Sequence, residues 1–295
     1  MLDPAQLAAL SAIHRRGAFD LAADDLNVTP SALSQRLKAL EETVGTLLIR
    51  RARPCTATPA GLRLIRHHDE LRLLEQELAA DLPGLGRGPA SLRIAVNADS
   101  LATWVIPALA ACPDFLFDLV IDDQDVSQDW LKRGEVVAAI TSHPGPLQGC
   151  ESLPLGALRY RATAAPRYID RWFGKGVGAD SLALAPALTF SDQDQLQNRW
   201  VQRQTGGRGR RSGFPSHRIA SSQGFVEACL YGLAWGLNPE PLVAAHLDSG
   251  ALLELVPDSP LDVPLYWQFT RLAAPALAHL TAAVRAQAAQ TLIAV

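Results

Sequence analysis

Residues 19–45 read FDLAADDLNVTPSALSQRLKALEETVG, and this stretch decides the fold of the N-terminal region. Thr29-Pro30 predicts the start of a helix, because a threonine hydroxyl caps free backbone N–H groups and proline suits the first helical position. Gly45 predicts the end of that helix. Between these points the apolar residues recur at the spacing of one helix face, and they are Leu33, Leu37, Leu40 and Val44.

Two shorter helices are predicted before this one. The first ends at Gly17 and has one apolar face, formed by Leu7, Leu10 and Ile13. The second is marked by Phe19, Leu21, Ala22 and Leu26. A tight turn at Asn27-Val28 then leads into the third helix. Two helices joined by a tight turn, the second with a polar outer face, are typical of a helix-turn-helix DNA-binding unit.

The polar face of the third helix has the side chains that a helix in the DNA major groove needs. Short hydroxyls can bind phosphates, Gln35 can read a base edge, and Lys38 can bind the DNA backbone. The candidate DNA contacts on and before this helix are Thr29, Ser31, Ser34, Gln35, Arg36 and Lys38.

A basic wing is predicted after this helix. Residues 47–49 and 56–58 indicate two short strands, and the arginines between them are three further candidate DNA contacts, Arg50, Arg51 and Arg53. From Pro30 to Arg66 the chain has seven basic residues and two acidic ones, a local excess of five positive charges. The whole chain has a net charge of −3, so the phosphate-binding surface is expected to be local.

The composition excludes several other classes of protein. A chain of 295 residues that is 48% hydrophobic and 19% charged is long enough for two or three compact units. Its four cysteines form no CxxC pair, so no zinc site or disulfide framework is expected. No signal peptide, long apolar run, GxSxG motif or cofactor motif is recognised, which predicts a cytoplasmic protein with no membrane span, no enzyme activity, no cofactor and no metal.

A longer helix is predicted from Thr58-Pro59 onward. Its seam residues recur every three or four positions and suit pairing with a second copy of the chain; they are Leu64, His67, Leu71, Leu74 and Leu78. An apolar face packed on its own chain is the other interpretation of this seam. Residues 81–90 are rich in proline and glycine and predict a hinge.

From residue 91 onward, predicted strands and helices alternate, which indicates a parallel α/β sheet. Residues 92–96, 117–122 and 137–141 form the first three strands. Residues 187–190, 217–221 and 235–239 indicate a second, similar unit, and residues 266–270 are expected to return to the first. Ligands of such sheets bind at the carboxyl ends of strands, near helix N-termini.

The stretch from Phe19 to Gly61 resembles the DNA-binding domain of LysR-type transcriptional regulators. The matching residues are Ala22, Ala23, Leu26, Ser31, Ala32, Ser34, Gln35, Leu40, Glu41, Gly45, Leu47, Arg50, Thr58 and Gly61. Ile49 stands where the family usually has phenylalanine, which changes packing under the wing. The resemblance implies a linker helix that forms a homodimer or homotetramer, and an effector domain of two lobes similar to periplasmic binding proteins.

Residues 92–110, LRIAVNADSLATWVIPALA, resemble one branch of this family, the ArgP and LysG regulators of basic amino-acid export. Tyr266-Trp267 also fits that branch. The resemblance is weakest in residues 197–213. There the basic, glycine-rich stretch 203–213 is interpreted as a solvated loop, with a second DNA or partner contact as the less favoured interpretation.

Acidic residues at strand ends fit a cationic effector, because carboxylates bind ammonium and guanidinium groups through charge-assisted hydrogen bonds. Asp123 is the first candidate for the ligand's side chain. Ser100 and Leu101 suit its α-carboxylate, and Thr141 and Ser142 its α-amino group. The full set of candidate effector-binding residues is Asp99, Ser100, Leu101, Asp122, Asp123, Asp125, Thr141, Ser142 and Ser222.

The sequence therefore predicts three parts: a winged helix-turn-helix at 1–58, a dimerising linker helix and hinge at 59–90, and an effector domain at 91–295. Lobe I is assigned to 91–161 and 266–295, and lobe II to 162–265. The expected partners are double-stranded DNA, a second copy of the chain, and lysine or arginine, and the expected target is an amino-acid exporter gene. A different effector, a solute-binding protein and an architectural DNA protein are the alternatives.

Overall fold

The computed structural model of the chain describes residues 2–81, 90–122, 127–207 and 214–294. Three helices open the chain: α1 (Pro4–Arg16), α2 (Phe19–Asp25) and α3 (Pro30–Val44). A two-stranded antiparallel wing follows, with β1 (Ile49–Arg50) paired to β2 (Thr56–Ala57). The three helices and the wing surround one small apolar core, so the predicted winged helix-turn-helix is confirmed.

The helix ends lie where the sequence places them. Thr29 Oγ1 accepts a hydrogen bond from the Ala32 backbone N–H at 3.2 Å, and Pro30 is the first residue of α3. Gly17 and Gly45 end α1 and α3 in the left-handed region, with φ of +66° and +77°. A glycine reaches this conformation without the steric cost of a Cβ atom.

Some details of the predicted pattern are wrong. Val44 and Leu21 are exposed, because Val44 lies in the last turn of α3 and Leu21 on the outer side of α2. The first wing strand begins at Ile49 rather than Leu47, so Leu47 is exposed and Arg50 lies within the strand. Thr58 lies after the second strand, and its hydroxyl donates to the Leu47 carbonyl at 2.9 Å.

Two family-motif residues hold the wing against the helices. Glu41 Oε1 accepts hydrogen bonds from the backbone N–H groups of Leu48, at 2.8 Å, and Ile49, at 3.4 Å. A Cβ atom on Gly61 would lie 2.2 Å from the Leu48 carbonyl oxygen, so only glycine allows the wing this close to the next helix. Ile49 is buried in the small core, as expected of a residue that packs under the wing.

The linker helix α4 (Pro59–Asp81) has two different faces. Leu73 is buried in the core of the effector domain, whereas Leu71, Leu74 and Leu78 are exposed. Part of the helix therefore packs on its own chain. Of the predicted seam, Leu64 packs against the small core of the N-terminal helices, and His67, Leu71, Leu74 and Leu78 are exposed. The predicted hinge lies almost wholly outside the described residues.

The effector domain begins with parallel strands. β3 (Ala90–Asn97) pairs in parallel with both β4 (Phe115–Asp122) and β5 (Ala138–Thr141), which confirms the predicted parallel sheet. A continuous helical segment joins β3 to β4, made of α5 (Ala98–Ser100), a π-helical turn (Leu101–Val105) and α6 (Ile106–Ala110). Helix α7 (Ser127–Arg133) precedes β5.

Long antiparallel strands connect this unit to the second one. Over the described residues the sheet has seven strands. Six follow the order β10 (Leu253–Glu254), β6 (Cys150–Ala164), β11 (Leu261–Thr270), β5, β3 and β4, and β9 (Gly236–Pro239) also pairs with β6. Strand β11 (Leu261–Thr270) returns between β5 and β6 (Cys150–Ala164), as predicted for Tyr266–Thr270. Position 161, where the sequence analysis divides the lobes, falls inside β6, so this strand runs through both.

The second unit surrounds two parallel strands, β7 (Ala187–Thr189) and β8 (Ser216–Arg218). Its other elements are α8 (Pro166–Phe173), α9 (Ala179–Leu184), α10 (Leu196–Gln204), α11 (Ser222–Leu230), β9 (Gly236–Pro239), α12 (Glu240–Asp248) and β10 (Leu253–Glu254). A 3-10 turn (Arg271–Ala273) and α13 (Ala278–Thr291) follow β11. Among the described residues, no helix has the length and apolar character needed to cross a membrane.

Candidate DNA-binding surface and effector cleft

The polar face of α3 is presented to solvent. Ser31, Gln35 and Lys38 are exposed, while Ser34 and Arg36 are half-buried. Lys38 lies 3.7 Å from Glu42 one turn later, an exposed pair that a DNA phosphate can replace at little cost. The hydroxyl of Thr29 is used as the cap of α3, so this residue positions the helix. Ser31, Ser34, Gln35 and Lys38 form one surface suited to the major groove, and Arg36 lies on a different side of α3.

The wing adds a second group of cations beside that face. Arg50, Arg51 and Arg53 are all exposed. The Arg51 guanidinium lies over the ring of Phe19, 5.1 Å from its centroid. This cation–π contact holds Arg51 in place and leaves its charge available to a phosphate.

A narrow cleft opens at the carboxyl ends of β3 and β4 and is closed on the other side by α10 and α11. Its lining residues are Ala98, Asp99, Asp122, Phe190, Asp194, Leu196, Gln197, Ser222, Phe225, Leu237 and Pro239. Residues more than one hundred positions apart thus form one site, where the rule for open α/β sheets expects a ligand.

Asp99 joins the two sides of the cleft. Its Oδ1 accepts a hydrogen bond from Ser222 Oγ at 2.6 Å, and its Oδ2 accepts one from the Tyr160 hydroxyl at 2.7 Å. Burial raises the pKa of the Asp99 carboxyl and the nearby Asp194 charge acts in the same direction, while these two hydrogen bonds oppose the shift. Asp99 therefore links the start of α5 to the start of α11.

The other two carboxylates of the cleft are held by different partners. Asp122 Oδ2 accepts a hydrogen bond from the Trp130 indole N–H at 2.9 Å. Asp194 accepts from the backbone N–H groups of Phe190, at 2.9 Å, and Leu196, at 3.0 Å, and so fixes the start of α10. Three carboxylates consequently surround one cleft. No lysine, arginine or histidine is among the described residues that line it.

Four predicted effector residues do not line this cleft. Thr141 is buried because both faces of β5 are covered. Its hydroxyl accepts a hydrogen bond from the His143 backbone N–H at 3.2 Å. Ser142 is half-buried in the turn that follows. Ser100 is buried and Leu101 packs against the main core. Asp123 and Asp125 lie outside the described residues.

Most residues of the wall formed by the second unit were not predicted from the sequence. Asp194 has a recognisable signal, since an aspartate shortly before an apolar helical segment is a common helix-capping residue. Gln197 has no such signal, because a glutamine in a polar helix resembles any solvated side chain. Phe190, Phe225 and Leu237 are ordinary apolar residues whose position only the fold reveals.

The DNA-binding head, linker helix and two-sided effector domain define a ligand-responsive DNA-binding regulator. Two family models match, "Bacterial regulatory helix-turn-helix protein, lysR family" over residues 4–62 and "LysR substrate binding domain" over residues 86–289. The chain belongs to the LysR family of transcriptional regulators.

Three individual relatives are similar to this chain over nearly its whole length. The chain is 42% identical to the HTH-type transcriptional regulator ArgP of Pseudomonas fluorescens over 298 residues, 99% of this chain and 98% of the relative. The crystal structure of ArgP from Mycobacterium tuberculosis is 40% identical, with a TM-score of 0.82 and 100% of both chains covered. Full-length LysG from Corynebacterium glutamicum with bound effector Arg is 36% identical, with a TM-score of 0.68 and 99% of both chains covered.

Proposed function

We propose that the effector of this regulator is a basic amino acid, lysine or arginine, bound in the cleft between the two units of the effector domain. The observation that carries the proposal is the set of three carboxylates, Asp99, Asp122 and Asp194, around one cleft whose described lining includes no cationic side chain. Such a site favours a cation through charge-assisted hydrogen bonds. The arginine bound to the related LysG supports the same ligand class.

The three carboxylates of the cleft have different hydrogen-bond partners. Both oxygens of Asp194 accept hydrogen bonds from backbone N–H groups, and both oxygens of Asp99 accept hydrogen bonds from hydroxyl groups. Asp122 has the Trp130 indole on Oδ2 and lies beside residues 123–126, the segment that carries the two remaining candidate carboxylates. Because Asp123, the first candidate for the ligand's side chain, follows Asp122 directly in the chain, we assign the cationic side chain of the ligand to the neighbourhood of Asp122.

Thermal unfolding in the presence of each of the twenty amino acids tests the proposal. A ligand that binds only the folded state stabilises it by about 2.7 kcal/mol at one hundred times its Kd. We expect a rise in Tm with arginine or lysine, and a strongly reduced rise in Asp122→Asn. The matched control is Asp248→Asn, which changes an exposed aspartate on α12 and should respond as the wild type does. The absence of any shift with arginine and lysine would remove the assignment of a basic amino acid.

We further propose how binding reaches the DNA. A ligand changes an equilibrium only if it prefers one of two states. The bond of Asp99 to Ser222 crosses the cleft, so a ligand there alters how closely lobe I (91–161 and 266–295) and lobe II (162–265) approach. In a dimer joined through 59–90, this change alters the spacing of the two heads at 1–58. An exporter gene as target and a cytoplasmic location belong to the same proposal.

A further inference from the structure

Gln197 is a buried, polar side chain in the wall of the cleft. It is 1% exposed, and neither its Oε1 nor its Nε2 has a hydrogen-bond partner in the described part of the chain. Nearly all buried polar groups in folded proteins are paired, because an unpaired one loses its hydration without compensation. An amide with both ends unpaired, at the wall of a ligand cleft, is therefore a candidate ligand-binding group.

The backbone that carries Gln197 is firmly held. Asp194 fixes the first turn of α10 through the backbone N–H group of Leu196. One turn beyond Gln197, Trp200 is fully buried, donates its indole N–H to the Ser259 carbonyl at 2.8 Å and packs against the ring of Trp235. Gln197 is thus presented to the cleft from a rigid helix, which is the arrangement that a specific recognition group requires.

The charges of the cleft limit what this amide can recognise. Asp99, Asp122 and Asp194 attract the positive groups of a ligand but repel its α-carboxylate. With no cationic side chain in the described lining, the carboxylate needs a neutral donor. The Nε2 of Gln197 donates two hydrogen bonds and its Oε1 accepts two, so one carboxamide can bind a carboxylate and the ammonium beside it.

We propose that Gln197 binds the zwitterionic α-amino-acid head of the effector, with Nε2 donating to the carboxylate and Oε1 accepting from the α-ammonium. The assignment rests on the proposed basic amino-acid effector and adds a second selectivity. The carboxylates select for a cationic side chain, and Gln197 selects amino acids against the corresponding decarboxylated amines. A site built to hydrogen-bond a group rejects an analogue without that group, because the site's own polar atoms are then left unpaired.

The test compares arginine with agmatine, which is decarboxylated arginine, by calorimetric titration of the full-length protein. We expect the wild type to prefer arginine at least tenfold, and Gln197→Met to reduce this preference to about threefold or less. The ligand-free Tm of Gln197→Met should stay equal or rise, because the change removes an unpaired buried amide. Gln202→Met, at an exposed position of the same helix, should leave both the preference and the Tm unchanged.

The possible outcomes distinguish a failure of the basic amino-acid assignment from a failure of the role of Gln197. If the wild type binds neither arginine nor lysine, the basic amino-acid assignment fails and this inference fails with it. If the wild type binds arginine but Gln197→Met keeps the full preference over agmatine, only the role of Gln197 is overturned. A fall in ligand-free Tm with an unchanged preference in both Gln197→Met and Gln197→Ala would show that the amide has a structural role.

Discussion

At the scale of single residues, the DNA-binding surface combines two kinds of contact. Gln35 is an exposed amide on α3, and an amide can bind a base edge through paired hydrogen bonds. Arg51 is a cation held beside Phe19 on the wing, and a cation there binds phosphates whatever the sequence. Both residues are exposed, yet they should contribute differently to specificity.

We expect Gln35→Ala to weaken binding to the cognate operator by about 1–3 kcal/mol and binding to random DNA far less. Arg51→Ala should weaken both alike and lower the slope of log affinity against log salt by about 1. Fluorescence anisotropy over a range of salt concentrations measures both effects. Arg285→Ala, an exposed change on α13, is the control that should alter neither. Equal losses on cognate and random DNA for Gln35→Ala would contradict the base-reading role.

At the scale of elements, two adjacent histidines show how differently the faces of α4 are used. His68 is 7% exposed, whereas His67 is exposed. Burial, together with the positive charges of Arg72 and Arg15, lowers the pKa of His68 to about 4. The folded protein therefore holds this imidazole neutral at pH values where the unfolded chain, with a pKa near 6.5, has already bound a proton.

The contribution of His68 to stability is complete above pH 6.5 and is lost as the pH falls towards 4, by about 3 kcal/mol over this window. Denaturant unfolding between pH 4 and 7 should give a smaller acid-induced loss in His68→Gln than in the wild type. His279→Gln, which changes an exposed histidine on α13, should keep the wild-type profile. An unchanged profile in His68→Gln would show that this imidazole does not contribute.

At the scale of the whole molecule, the linker helix leaves an apolar seam on the surface. Leu71, Leu74 and Leu78 lie on the side of α4 opposite the buried Leu73, and Leu74 is 46% exposed. Leucines at this spacing are typical of a helix that pairs with a second copy. A dimer also gives the two DNA-binding heads a defined separation, which recognition of two half-sites requires.

If the proposed seam joins two copies of the chain, Leu74→Glu should convert that dimer to a monomer in sedimentation velocity and reduce operator affinity at least tenfold, because a charge in the seam must be desolvated on pairing. Leu184→Glu changes a similarly exposed leucine on α9 and should leave the oligomeric state unchanged. A Leu74→Glu protein that stays dimeric would place the interface elsewhere and favour a seam with no partner.

The sequence was most informative where the physical cause is local. The Thr29 cap, the helix ends at Gly17 and Gly45, and the apolar stripe of Leu33, Leu37 and Leu40 depend on neighbours within one or two turns, and the sequence predicts all of them. The predicted burial of Val44 was wrong, because the apolar spacing continues to the last turn of α3 whereas the small core does not extend that far. The predicted contact of Thr141 with the effector was wrong, because a position at the end of a strand does not determine which way its side chain points.

By itself, then, the sequence determined the winged helix-turn-helix, the linker helix, the parallel order of the first strands and the family, since caps, periodicity and basic charge are properties of short segments. Only the tertiary structure decided the composition of the cleft. The bond between Asp99 and Ser222 joins residues 123 positions apart, and Gln197 is distinguished solely by burial without a partner. Pairing and burial of a side chain depend on what the fold brings against it, and no local pattern encodes that.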